Sequence, residues 1–295
     1  MRFVNFEEKA EAHPGVVVNN KILSLADLRG FSSIRTVDEL LASDRLDELR
    51  TLLSGKPPTG GKSVESVKLR SPVLSPDKIL CAAVNYTAHG KEKNSTQPKE
   101  PYFFTKFRSC IIGNGDPILV PKISKKVDWE VELAVVIGKR GKYISRENAM
   151  EHVAGYTIAN DISFRDLQYP EGWSEKPSRQ GLNWVKGKAL DGAFPLGPWL
   201  VTKDDIPNPQ NLRISLSVNG VSRQNSTTGD MIFGVDRLIE YISSGLTLLP
   251  GDVISTGTPS GVANYSGAPF LKEGDIVECE IEGIGKLRNP VVSES

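Results

Sequence analysis

The sequence of 295 residues is poor in cysteine and histidine and has no excess of charge of either sign. Its three cysteines, Cys81, Cys110 and Cys279, are widely spaced among apolar residues, which predicts reduced thiols rather than a disulfide framework. None is adjacent to a histidine or another cysteine, so a zinc site or a thiol nucleophile has little support. Basic and acidic residues both number 36, so no overall field favours a nucleic acid or an anionic membrane as partner.

Long apolar runs are missing as well. No run approaches the roughly 18 apolar residues of a membrane span. Residues 1–8 lack the apolar region of a signal peptide. The sequence therefore predicts a protein of the cytoplasm with no membrane partner and no nucleic-acid partner.

Three common catalytic or nucleotide-binding motifs are not found. Gly257–Gly261 spaces its serine as G-x-x-S-G, whereas the nucleophile elbow of serine hydrolases requires G-x-S-x-G. Gly113–Gly115 lacks the third glycine of a dinucleotide fingerprint. Gly187–Ala189 lacks the leading glycine and the Ser or Thr of a P-loop. These sequences favour neither a serine hydrolase nor a nucleotide-binding enzyme.

The chain divides into a small N-terminal part and a larger second part. A hydrophobic content of 39% over 295 residues is sufficient for a large core. Residues 1–70 contain short strand candidates and two segments with helical spacing of leucine, and Ser54–Gly61 has the composition of a linker. We predict an N-terminal α+β domain at 1–70 and a second domain at 71–295.

The most informative pattern lies in Val127–Gly138. Strand alternation places Glu130 and Glu132 on one face, and this face continues into small and apolar residues. The residues predicted to lie on the opposite face are Val131, Leu133, Val135 and Ile137. Two carboxylates on a buried face repel each other unless a positive group lies between them, and a divalent cation is the simplest candidate. A solvent-facing E-x-E is the alternative interpretation.

Two further groups of polar residues have helical spacing. His89 and Glu92 are three apart in the polar helix candidate at 87–94, and a carboxylate beside an imidazole is the pairing that a water-activating base needs. An exposed pair on a solvated helix is the alternative. Asp161, Arg165 and Gln168 are four and three apart, so a helical turn would align them.

The remaining pattern is rich in strands, with turns marked by glycine and proline. Further strand candidates lie at 79–84, 101–106, 116–120, 153–158, 212–218 and 221–225, and a helix candidate lies at 234–243. We expect the strand at 275–281 to complete the sheet.

Together, these motifs resemble the fumarylacetoacetate hydrolase superfamily, especially its longer members with an extra N-terminal domain. The resemblance covers roughly residues 78–290. Its five motifs are N-Y-x-x-H-x-x-E at Asn85–Glu92, E-x-E at Glu130 and Glu132, N-D-x-S-x-R-D-x-Q at Asn160–Gln168, G-K-x-x-D-x-x-x-P-x-G-P at Gly187–Pro198, and T-G-T-P-x-G-V at Thr256–Val262. Each motif is unspecific by itself, whereas five in family order with matching gaps are specific.

The resemblance implies a role for each of nine residues. Glu130, Glu132 and Asp161 would bind a metal. Arg165, Gln168 and Thr258 would face the substrate, and Lys188 would meet an enolate. His89 and Glu92 would form a catalytic dyad on a lid at residues 85–98. The resemblance also implies an α+β fold, with a large mixed β-roll or β-sandwich as the catalytic domain, and a homodimer formed through that domain.

An all-oxygen set of three carboxylates suits Mg²⁺ or Mn²⁺ rather than zinc. The resemblance then implies a metal-dependent hydrolase that cleaves the C–C bond of small anionic 2,4-dioxo acids of the acylpyruvate or fumarylpyruvate type. His89 would take a proton from water, and Lys188 would help to stabilise the resulting pyruvate enolate. The same residues also fit an oxaloacetate decarboxylase or a keto–enol tautomerase or isomerase, which need no attacking water. A third alternative is a protein that binds metal and 2-oxo acid without turnover.

Overall fold

The structure is a computed structural model that describes residues 1–54, 60–92, 97–168 and 182–295. In chain order, the strands in these ranges are β1 (Arg2–Glu8), β2 (Glu11–Val18), β3 (Lys21–Ser24), β4 (Lys62–Ser63), β5 (Leu69–Arg70), β6 (Ile79–Ala82), β7 (Phe103–Lys106), β8 (Ile111–Ile112), β9 (Ile118–Val120), β10 (Val127–Asp128), β11 (Val131–Ile137), β12 (Val153–Asn160), β13 (Ser163–Phe164), β14 (Phe194–Thr202), β15 (Arg213–Val218), β16 (Val221–Thr227), β17 (Val253–Ser255), β18 (Ile276–Ile281) and β19 (Gly285–Ser293). The α-helices are α1 (Val37–Ala42), α2 (Leu46–Ser54), α3 (Thr87–Glu92), α4 (Trp184–Lys188), α5 (Val235–Ser243) and α6 (Ala263–Ser266).

A twelve-stranded sheet runs from the N-terminal part of the chain to the second part. Its order is β4-β3-β2-β1-β14-β12-β11-β17-β6-β7, with β5 paired to β1 and β8 paired to β14. Strand β1 pairs with β14 through Arg2↔Val201 and Phe3↔Leu200, so hydrogen bonds connect the residues before position 70 to the central strands. The predicted boundary at residue 70 remains a prediction, and most of the predicted linker lies outside the described residues.

A second sheet of five strands, in the order β16-β15-β18-β19-β9, covers one face of the large sheet. Its inward residues, such as Leu216 and Val277, lie in the same hydrophobic cluster as Leu133 and Val135 of β11. Helix α5 adds Leu238 to this cluster. The two sheets and the few helices form the α+β, sheet-dominated architecture that the sequence analysis predicts.

Strand β11 is buried along its whole length and separates two hydrophobic clusters. Leu133 and Val135 belong to the cluster under the five-stranded sheet. Ala134 and Val136 belong to the cluster on the other face, which also includes Leu40 of α1. The alternation predicted from the sequence is therefore present, and Glu132 lies on the face of Ala134 and Val136.

Two predictions of local structure are wrong. The expected helical turn after Asn160 is instead the short strand β13, which pairs with β10 through Val127↔Phe164 and Asp128↔Ser163. Residues 276–281 do not complete the second sheet, because β19 pairs with β18 and then with β9. No helix in the described ranges is long and apolar enough to cross a membrane.

Candidate metal and substrate site

The register of β11 and β12 brings three carboxylates together. Val131 pairs with Asn160, so the residue after β12 lies beside the residue before β11. The backbone amide of Asp161 donates to the carbonyl of Glu130 at 2.8 Å. One ligand oxygen from each of Glu130, Glu132 and Asp161 lies within 4.8 Å of the others, and all three residues are buried. The structure therefore places together the three residues that the resemblance assigns to a metal, while their role remains a prediction.

Buried cations pair with two of these carboxylates, Glu130 and Asp161. Lys188 Nζ lies 2.7 Å from Glu130 Oε2 and 2.6 Å from Asp161 Oδ2. Arg165 Nη2 contacts Glu130 Oε1 at 2.5 Å. Lys106 Nζ lies 2.8 Å from Asp161 Oδ1. Carboxylates in a low-dielectric interior need such partners, because an unpaired buried charge is strongly destabilising.

Asp128 is a fourth buried carboxylate next to the site. Its Oδ2 accepts a hydrogen bond from Arg165 Nε at 2.8 Å, and its Oδ1 accepts one from the backbone amide of Ala263 at 2.7 Å. Asp128 therefore holds the guanidinium of Arg165 and the start of helix α6 in one arrangement.

The sequence analysis missed both Asp128 and Lys106. Strand alternation could have identified both. Asp128 is two residues before Glu130, and Lys106 is two residues after the buried Phe104, so each is expected on the same strand face as that neighbour.

Glu132 is held on one oxygen by the segment that follows β17. Its Oε2 accepts hydrogen bonds from Ser255 Oγ and from the backbone amide of Gly257 at 2.9 Å. Gly257 has a φ of +90°, and a Cβ at this position would lie 2.8 Å from Cβ of Asn85, so glycine is required for this approach. Burial, together with the nearby charges of Asp161 and Glu130, raises the pKa of Glu132 to about 8.

The two cations nearest to Glu130 remain charged. Burial opposes the charge on Lys188, but the carboxylates of Asp161 and Glu130 more than offset it, so the pKa of Lys188 is raised. Burial likewise opposes the charge on Arg165, and Asp128 and Glu130 offset it, so its pKa is raised as well. Both side chains therefore keep their positive charge within the ion pairs that they form with the buried carboxylates.

The residues predicted to face the substrate lie around the same centre. Arg165 Nη1 donates to Gln168 Oε1 at 3.4 Å. Gln168 packs against Gly187, where a Cβ would lie 2.2 Å from Cγ of Gln168, so glycine allows α4 to approach. Thr258 Oγ1 donates to the carbonyl of Val131 at 2.8 Å, which fixes it beside the first residue of β11.

His89 lies on helix α3 and is buried, with 2% of its surface exposed. This differs from the exposed helix that the polar sequence indicates. The ring of His89 lies edge-on to the ring of Tyr265, with centroids 6.2 Å apart. Glu92 ends the same helix, and its side chain lies outside the described part of the structure, as do residues 93–96 of the predicted lid. The lid and the dyad remain predictions.

These residues line one cavity of about 180 Å³. Of the nine predicted site residues, seven line it directly, namely His89, Glu130, Glu132, Arg165, Gln168, Lys188 and Thr258. Asp161 does not line the cavity itself, but it forms an ion pair with Lys188, which does. Pockets for drug-sized ligands have volumes of roughly 300–1,000 Å³, so this cavity is suited to a molecule of a few carbon atoms.

The carboxylate cluster fits a hard divalent cation. Lys106 approaches Asp161 Oδ1 without the angle of a hydrogen bond, so this buried oxygen has no hydrogen-bond donor among the described residues. A buried acceptor without a hydrogen-bond donor is unusual, and a carboxylate oxygen of this kind is suited to coordinate a cation. The donor set is entirely carboxylate oxygen, which Mg²⁺ and Mn²⁺ prefer.

Comparison with known proteins agrees with this geometry. Residues 78–292 match the protein family described as fumarylacetoacetate (FAA) hydrolase, C-terminal. The chain belongs to this family. It is therefore an enzyme of the fumarylacetoacetate hydrolase superfamily, whose members include hydrolases, isomerases and tautomerases.

Three relatives extend the comparison beyond the matched segment. The chain is 44% identical to a mitochondrial oxaloacetate tautomerase of Bos taurus over 299 residues, which is 99% of this chain and 92% of that protein. A fumarylacetoacetate hydrolase from Exiguobacterium antarcticum has a similar fold, with a TM-score of 0.80, 33% identity and full coverage of both chains. A maleylpyruvate hydrolase from Sphingobium sp. SYK-6, solved with manganese(II) and pyruvate, has a TM-score of 0.79 and 29% identity over the full length of both chains.

Proposed function

We propose that this member of the fumarylacetoacetate hydrolase family is a metal-dependent keto–enol tautomerase of oxaloacetate. The observation that carries the proposal is the convergence of three buried carboxylates with Lys188 and Arg165 at one small cavity. Relatives that are 43–49% identical to this chain over the aligned residues are named oxaloacetate tautomerases, which supports the choice of reaction.

Mg²⁺ or Mn²⁺ held by Glu130, Glu132 and Asp161 would supply positive charge that stabilises the enolate form of a 2-oxo acid. Lys188 would place its ammonium beside the enolate oxygen, where preorganised charge lowers the barrier most. Arg165 would bind a carboxylate of the substrate. His89, which lines the cavity, would carry the proton between the C3 carbon and the enol oxygen.

The hydrolysis of acylpyruvates remains the second candidate. The burial of His89 in the cavity favours it, because an imidazole with limited access to solvent can take a proton from a single bound water. A structural relative named maleylpyruvate hydrolase supports the same class of substrate. Decarboxylation of oxaloacetate and binding without turnover are further outcomes of the experiment below.

The decisive experiment measures the rates at which the purified protein converts oxaloacetate, acetylpyruvate and fumarylpyruvate, once with Mg²⁺ and once with Mn²⁺. We expect the enol form of oxaloacetate to disappear faster in ultraviolet absorbance, without release of CO₂ or pyruvate. His89→Gln should lower this rate by about 10²- to 10⁴-fold, the usual contribution of a general acid or base. Release of pyruvate from acetylpyruvate or fumarylpyruvate at a higher kcat/KM would instead identify a hydrolase.

His13→Gln is the matched control, since His13 lies on β2 and packs against Phe6 in the N-terminal part of the sheet. It should retain full activity. A His89→Gln variant with unchanged rates on every substrate would refute the assigned role of His89. The homodimer, the location in the cytoplasm and the absence of membrane and nucleic-acid partners remain predictions, of which the first is measured by light scattering of the purified protein.

A further inference from the structure

The cavity has two kinds of lining. Its polar part contains the carboxylates and cations described above. Its apolar part consists of Ala82, Ala83, Val84, Phe104, Leu182 and Trp184, together with the ring of Tyr265. The polar part accounts for the head of a 2-oxo acid, and the apolar part can distinguish acids by the size of their tails.

Phe104 and Trp184 are large aromatic side chains of this lining that contact each other. Their rings are nearly parallel, with an angle of 7° and centroids 4.7 Å apart. Phe104 is fixed by β7, where it pairs with Cys81 of β6. Trp184 Nε1 is buried and has no hydrogen-bond partner among the described residues. The indole is therefore positioned by ring stacking rather than by a hydrogen bond.

The stacked pair lies directly beside the cation proposed to meet the substrate. Trp184 and Lys188 are four residues apart in α4 and share a helix face. Lys188 Nζ lies 5.0 Å from the centroid of Phe104, within the range of a cation–π contact. A substituent that extends from the reacting carbons toward these rings has only the space that a cavity of about 180 Å³ leaves.

We propose that the Phe104–Trp184 stack determines substrate specificity by limiting the length of the substrate tail, so that the site accepts short 2-oxo acids and rejects acids with long or aromatic tails. This inference rests on the proposed function for the class of substrate. An apolar wall discriminates by steric fit, and one methylene group is typically worth about 10- to 200-fold in kcat/KM.

The test compares Trp184→Ala and Trp184→Phe with the wild type. Turnover is measured on oxaloacetate, acetylpyruvate and benzoylpyruvate. Binding of pyruvate and of phenylpyruvate is measured by calorimetry in the presence of Mg²⁺. We expect Trp184→Ala to raise the preference for the aromatic acid over the short acid by about 10- to 100-fold in both measurements, and Trp184→Phe to raise it less. Val185→Ala is the matched control, since Val185 is the next residue of α4 and is 53% exposed, and it should leave the preference unchanged.

A preference within twofold of the wild type in both Trp184 variants would overturn the inference. If Trp184→Ala fails to fold, Trp184→Phe decides by the same criterion. The binding measurement separates this inference from the proposed function. A wild type that binds pyruvate but turns over none of the acids refutes the function, while its preference between pyruvate and phenylpyruvate still tests the role of the Phe104–Trp184 stack. A wild type that binds phenylpyruvate as tightly as pyruvate would also overturn it.

Discussion

The two faces of β11 are both buried, but different interactions stabilise them. Leu133 and Val135 pack into a continuous apolar core between two sheets, where stability follows the area removed from water. Glu132, on the opposite face, lies among buried charges that must be matched individually. The comparison indicates that one strand can serve two purposes. Its residues on one face anchor it in the core, and its residues on the other face carry the charged groups of the site.

The largest expected effect comes from removing one charge on the polar face. Glu132→Gln keeps an acceptor for Ser255 and Gly257 but removes a proposed metal ligand. We expect Mg²⁺ binding to disappear in calorimetry and activity to fall by about 10²- to 10³-fold. The metal-free fold should be about as stable as the wild type near pH 7, because the raised pKa already keeps Glu132 largely uncharged there.

Glu280→Gln is the control for this substitution, since Glu280 is exposed on the five-stranded sheet. It should change neither quantity. Retention of tight Mg²⁺ binding by Glu132→Gln would contradict the metal assignment.

A substitution on the apolar face of β11 should lower stability and leave activity nearly unchanged. Leu133→Ala leaves a cavity in the core, where Leu133 is fully buried. We expect a loss of about 2–5 kcal/mol in the free energy of unfolding, measured by urea denaturation. The activity per folded molecule should remain within severalfold of the wild type. Val221→Ala, at an exposed position, should cost less than about 0.5 kcal/mol. A Leu133→Ala variant that unfolds normally but has lost Mg²⁺ binding would show that the two faces are not independent.

A change of pH should have a smaller effect on stability, and this effect should come from Glu132 on the polar face. The pKa of Glu132 is raised from 4.5 to about 8, so between these values the folded protein binds more protons than the unfolded chain. The stability of the metal-free protein should therefore fall as pH rises through this interval, by about 1–3 kcal/mol. Thermal unfolding from pH 5 to 8 measures the slope. The slope should be smaller in Glu132→Gln, and equal slopes in the two proteins would exclude Glu132 as its source.

The sequence predicts the strand and the shared face of Glu130 and Glu132 because both depend on local alternation. Residues 131–137 form one strand, and the structure confirms that Leu133 and Val135 share one face while Ala134 and Val136 share the other. The position of Asp161 beside Glu130 depends on the register of β11 and β12, which periodicity does not predict. The family resemblance supplied only the expectation that Asp161 joins the two glutamates at a metal.

The errors arise where tertiary pairing overrides local spacing. Asp161, Arg165 and Gln168 have helical spacing, yet Ser163 and Phe164 gain backbone hydrogen bonds from β10. Strand β19 contains Asn289-Pro290, a sequence typical of turns. In the structure, Pro290 is where the strand stops pairing with β18 and begins to pair with β9. A change of partner along one strand has no signature in a single sequence.

The pairing of β1 with β14 has a consequence for shortened forms of the protein. Strand β1 covers an edge of β14 at Leu200 and Val201, two residues with almost no exposed surface. A chain that begins after residue 70 would present this edge, with its unpaired amides and carbonyls, to any other chain in solution, and uncovered edges of this kind promote self-association. The first seventy residues therefore cover a strand edge that would otherwise be open to pairing with another chain.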